Sequence, residues 1–130
     1  HHNSMAGTLE AVKQSRHESL IDKLKKETLV GCYFPALSEY SVDAAIEMIS
    51  TLPENMILSG AYDTAAALIS CPDLLFNEEH YAPLLWLAGV KAKDGEAKYF
   101  EAYGYNLTFN RRMHLSKLSE YFTSGITILG

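Results

Sequence analysis

Cysteine is scarce in this chain, and its scarcity excludes two classes of scaffold at once. Cys32 and Cys71 are the two present, too few for a disulfide framework, and no C-x-x-C or H-x-x-x-H spacing offers a zinc site. Each sits inside an apolar stretch and reads as a buried thiol in a reducing compartment. Phosphate-binding loops are missing as well: none of the eight glycines falls into G-x-x-x-x-G-K or G-x-G-x-x-G, and no G-x-S-x-G marks a serine nucleophile. No cofactor and no metal are expected. Nor does any apolar run approach the roughly 20 residues that a membrane-spanning helix needs, so no membrane contact is expected either. Basic residues are outnumbered, 11 Lys and Arg against 16 Asp and Glu for a net charge of −5, which argues against nucleic-acid binding through the phosphate backbone. Lys13, Arg16, Lys23, Lys25 and Lys26 gather in the first helical segment, where a solvated face accounts for them.

What is present suits a folded domain. At 130 residues, 48% of them hydrophobic and 21% charged, the chain can bury about two thirds of its unfolded surface in one core. Residues 1–4 read as a tag remnant before Met5, which leaves 5–130 as a single domain. No segment after Met5 has the layout of a secretion signal, so the sequon at Asn106, Leu107 and Thr108 carries no weight. The expected location is the cytoplasm of the producing cell, or of a host cell if the protein is an effector.

One phrase occurs twice, "VDAAIEMIS" from 42 and "YDTAAALIS" from 62, sharing Asp43/Asp63, Ala45/Ala65, Ile49/Ile69 and Ser50/Ser70. The first has apolar residues at Val42, Ala45, Ile46, Ile49 and Leu52, with Ser41 as its cap and Pro53 as its stop. The second keeps the stripe at Tyr62, Ala65, Ala66 and Ile69 between Gly60 and Pro72. Both predict amphipathic helices. A helix is also predicted over 8–26, where "KQSRHES" offers no apolar anchor, so that it docks only in part. Residues 28–34 can be a buried strand or a short helix. Further helices are predicted at 82–92, opened by Pro83, at 95–104, closed by Gly104, and at 110–125, with Leu115, Leu118 and Phe122 on one stripe. The fold class expected from these patterns is mainly α, five or six short helices stacked as antiparallel hairpins.

The stretch from Gly60 to about residue 125 resembles an ankyrin-repeat array. "APLLWLA" stands where an inner helix would open, "EAKYFEAYG" is similar to an outer helix with its terminal Gly104, and "HLSKLSEYFTSG" to a further outer helix. The resemblance implies an adaptor that binds proteins through the exposed side of stacked helices, and no catalytic residues.

On function, negative charge and eight tyrosines point to a small acidic protein-interaction module, an adaptor, effector or inhibitor of immunity type, without catalytic activity. Its contact surface is expected at Tyr81, Tyr105, Tyr121, Phe122, Ile126 and Ile128. The tail after Gly125 either folds back on the preceding helix or pairs with another chain, giving a monomer or a homodimer. The alternative is a small hydrolase or transferase in which Glu78, Glu79 and His80 act as acid, base or ligand and Arg111 or Arg112 holds an anion.

Overall fold

The computed structural model describes residues 9–76, 82–92, 96–104, 106–112 and 122–130. Their order is β1 (Leu9–Ala11), α1 (Arg16–Leu24), β2 (Gly31–Ala36), α2 (Val42–Ile49), β3 (Met56–Leu58), α3 (Ala61–Ser70), a 3-10 turn (Pro72–Leu75), β4 (Leu84–Trp86), β5 (Val90–Ala92), β6 (Ala97–Tyr103), β7 (Asn106–Arg112) and β8 (Phe122–Leu129). Six strands form one mixed sheet, ordered β2-β8-β4-β6-β7 with β3 also on β8, while β1 and β5 pair separately. This is an α/β architecture. It overturns the mainly α helical array and, with it, the ankyrin resemblance.

The last strand organises the sheet. One edge of β8 pairs antiparallel with β2 along its length; the other carries β4 in parallel at residues 122–124 and β3 antiparallel at 126–128. Thr, Ser and Ile dominate β8, a composition that suits a pleated surface. From Phe122 to Thr127 every residue is buried, as a central strand covered on both faces requires. The tail expected to supply exposed apolar surface is therefore interior: Phe122 is 1% and Ile126 8% exposed, and Ile128 is half-buried. It neither folds back on a helix nor hangs free.

Helices cover both faces. On one, Val42 and Ala45 of α2 pack with Leu58, Trp86, Ala88, Ala97, Tyr99 and Phe122. On the other, Leu68 of α3 and Leu75 of the 3-10 turn pack on Leu85, and α1 lies over β3 with His17 and Leu20 buried. The repeated phrase thus forms α2 and α3. Ser41 Oγ accepts from Ala44 N at 3.1 Å to cap α2.

The helices predicted at 82–92 and 95–104 give way to strands, for separate reasons. In β4, Trp86 packs in the core on the α2 face and Leu85 in the core under α3, so both faces are apolar and a continuous run replaces alternation. In β6, Ala97 and Tyr99 join the core on the α2 face, and Phe100 packs toward Leu85 on the other. Tyr103 pairs with Asn106 across a tight hairpin, and Gly104, at φ +60°, serves as its turn rather than as a helix stop. Asn106–Arg112 continues that hairpin, so the helix predicted over 110–125 is strand at 110–112, and again in β8 from Phe122, while 113–121 lie outside the described residues. β2 resolves the ambiguous segment as extended. It is the outer strand among the described residues, the position in a sheet that tolerates Pro35.

α1 begins later than predicted, and its polar middle is its anchor. Arg16 donates from Nη1 to the carbonyls of Pro53 (2.8 Å) and Met56 (3.0 Å) and from Nη2 to that of Leu52 (3.0 Å). These belong to the connection between α2 and β3, so one guanidinium ties α1 to the far side of the sheet. Arg16→Ala is expected to cost about 2 kcal/mol in urea unfolding, and Arg16→Lys most of that, because an ammonium lacks the planar fork. A loss under about 0.5 kcal/mol would mean that the clamp does not hold in solution.

Candidate functional site

α1 and α3 do not close on each other. Leu20, Ile21 and Leu24 line one wall, and Ala66, Ala67 and Ser70 the other. The short side chains on α3 leave a cleft of about 850 Å³ whose floor is Gly31 and Tyr33 of β2 with Thr127 and Leu129 of β8. That size falls in the usual range of ligand pockets, roughly 300–1,000 Å³. Cys32 and Cys71 line it too, and both are free and exposed, not the buried thiols that their apolar neighbours suggested.

The wall is mostly hydrocarbon, but one end is polar. Gly60 caps α3 without a side chain, so Asp63, three residues on, closes the first turn: its Oδ1 accepts from Gly60 N at 2.9 Å. Its Oδ2 accepts from Thr127 Oγ1 at 2.7 Å. Thr127 has one hydroxyl proton and spends it on the carboxylate. Ser59 Oγ, 2.8 Å from Thr127 Oγ1, is therefore the donor in their contact. A directed chain runs from Ser59 through Thr127 to Asp63, linking β3's end, β8 and α3.

Tyr33 lies across Gly125, where any β-carbon would meet its ring and hydroxyl. Burial, opposed by the nearby Thr64 hydroxyl and assisted by the charge of Asp63, pushes the phenol up to about 12, so it keeps its proton. Thr64 and Tyr33 lie close, yet among the described residues neither hydroxyl oxygen has a well-formed hydrogen bond.

Behind this end lies His17, 2% exposed and wedged between the backbones of Gly60 and Gly89. Burial lowers its pKa below the ordinary 6.5, against opposing pulls from Asp63 and the Leu58 carbonyl. The unfolded chain consequently binds a proton near pH 6.5 that the native imidazole resists, so native stability is held above that pH and lost as pH falls below it. The expected result is a fall in urea midpoint from pH 7 to pH 5.5 that is smaller in His17→Gln. Equal slopes in the two proteins would contradict it.

No known protein family, curated protein or solved structure matches the chain. The site is therefore read from its own geometry. Glu78, Glu79, His80, Tyr81, Tyr105 and Tyr121 lie outside the described residues. Arg111 and Arg112 fall on β7, with their backbones alone described. Among the described residues no group of three or more His, Cys, Asp or Glu could hold a metal ion, and no helix is long and apolar enough to cross a membrane.

The residues that the structure does bring together, Tyr33, Ser59, Asp63, Thr64 and Thr127, come from three elements and the joint before α3. One local signal was available. A glycine at the cap position followed three residues later by Asp announces a carboxylate turned back on its own helix start, and that distinguishes Asp63 from its counterpart Asp43, whose helix Ser41 caps.

Proposed function

We propose that the protein is a ligand-binding module whose α1–α3 cleft holds an elongated, largely apolar molecule with a polar group at the Asp63 end. The single observation that carries this reading is the cleft itself, about 850 Å³ of mostly hydrocarbon lining that ends on Tyr33, Asp63 and Thr127. Close packing is the rule inside proteins, and here Ala66 and Ala67 leave open, between two helices on one sheet face, a space that larger residues would fill. The cysteines on its lining give a direct readout. A naphthylamine-type fluorescent probe is expected to brighten on mixing and to slow alkylation of Cys32 and Cys71, and Ala67→Phe to abolish both effects. Unchanged alkylation in the presence of a bright probe would place the probe elsewhere and remove the reading.

A second reading keeps the protein-interaction module, on a different observation. Ile69 on α3 and Phe76 after the turn that follows it, neither of them on the cleft lining, are 83 and 65% exposed, and Tyr62 and Val30, at 71 and 82%, are exposed on the lining itself. Exposed large apolar side chains grouped in this way mark contact surfaces more often than chance. Ile69→Lys with Phe76→Ser would leave probe binding intact and abolish association with a protein partner; loss of probe binding in that variant would count against two separate surfaces.

A further inference from the structure

We infer that the cleft selects ligands bearing one protonated amino group on an apolar body, with the ammonium seated against Asp63. The inference rests on the cleft reading above and supplies its ligand class.

Charge balance is the first ground. Asp63 lines the cleft, and among the described residues no Lys or Arg pairs with it. Its nearest titratable companions are His17, which burial keeps uncharged, and Tyr33, which keeps its proton. Lys25, the cation on the lining, belongs to the opposite wall and is paired with Asp22 at 3.0 Å. Among the described residues, then, the polar end presents a carboxylate without a cationic side-chain partner to a space with hydrocarbon walls. A ligand cation seated there would supply that partner.

Hydrogen-bond capacity is the second. A carboxylate has about four acceptor sites, and Asp63 uses one from Gly60 N–H and one from Thr127 O–H. The remainder leave acceptor capacity on the carboxylate at this end of the cleft, which suits a group carrying several N–H donors. An alcohol would satisfy one acceptor and leave the charge. A carboxylate ligand would meet Asp63 as a like charge. The phenol rings of Tyr33 and Tyr62 on the lining add faces that favour a cation.

Decylamine, decanol and decanoate share one hydrocarbon body and differ in the head, and titration calorimetry of the full chain below their aggregation limits separates the cases. The amine is expected to bind tightest, by roughly ten- to a hundredfold over the alcohol, with decanoate weakest. Asp63→Asn, whose one amide oxygen can still accept from Gly60 N–H while its amide N–H turns to the Thr127 hydroxyl, is expected to erase the amine's advantage over decanol; an advantage that survives would overturn the inference. The head-group ranking in the unaltered chain decides the matter even if that variant fails to fold. Decanol or decanoate binding as tightly as the amine overturns the amine preference and leaves the cleft reading in place. No heat and no protection of Cys32 and Cys71 with any of the three overturns the cleft reading itself.

Discussion

Gly89→Ala is expected to destabilise the protein by about 3 kcal/mol or more, a large share of the 5–15 kcal/mol typical of a domain, and removing His17 should not rescue it. A β-carbon at Gly89 would run into the Leu58 carbonyl and would approach Cγ of the imidazole at 2.9 Å and Nδ1 at 3.0 Å. The carbonyl is backbone at the end of β3, held where Gly89 N donates to Ser59 O at 3.0 Å and Ser59 N to Gly125 O at 2.9 Å. It has nowhere to go. Gly60→Ala offers the control: the added carbon meets Nε2 and Cε1 of His17 and, at 2.9 Å, Cγ1 of Val90, all of them side-chain atoms. In urea unfolding, His17→Ala is expected to recover about 1–3 kcal/mol of the Gly60→Ala loss as a coupling term and little of the Gly89→Ala loss. Equal rescue of both would show that the ring alone, not the Leu58 carbonyl, sets the limit at Gly89.

The same contacts explain why the site was hard to read in sequence. His17 lies in "KQSRHES", which by hydrophobic periodicity is the weakest part of α1, yet Arg16 and His17 fix that helix through three carbonyls and two glycine backbones. Periodicity counts apolar side chains and is blind to a guanidinium clamp or an imidazole packed on bare backbone. Likewise Tyr33 and Thr127 are cross-strand partners 94 residues apart in the chain, and their meeting with Asp63 depends on β2 lying beside β8. Nothing local announces that pairing. The cap logic at Gly60 and Asp63 was local, and so it could have been read.

For the fold, α2 and α3 were legible because each lies on one face of the sheet, so its apolar stripe follows the helical period. The strands lacked the signature that would have set them apart. β4 and β8 are buried on both faces and lose the alternation that identifies a half-exposed strand. β6 places Tyr99 and Phe100 on opposite faces, each against a core, and in one dimension adjacent aromatics with Tyr103 four positions on pass for a helix stripe. Thr108, Thr123 and Thr127, with Ile126 and Ile128, carried the β-branched enrichment that should have outweighed it.

Trp86→Ala is expected to cost about 3–5 kcal/mol, and the reason bears on the strand assignment. Trp86 is 2% exposed, its ring set edge-on to Tyr99 at 5.1 Å and to Phe122 at 4.6 Å between centroids. Those partners come from β6 and β8, the two strands that flank β4, so the cluster exists only if all three segments are extended and in this register. Its Nε1 finds no hydrogen-bond partner among the described residues, so Trp86→Phe gives up ring area but no hydrogen bond, and it should lose less than half as much. Phe122→Ala tests the arrangement from the other side, with an expected loss of about 3 kcal/mol or more. Trp86 is the single tryptophan, and in Phe122→Ala its emission should move toward longer wavelength as water reaches the gap. If Phe122→Ala proved nearly neutral and left that emission unchanged, residues 122–129 could not be the strand on which β2, β3 and β4 converge, and the floor of the cleft at Thr127 and Leu129 would go with it.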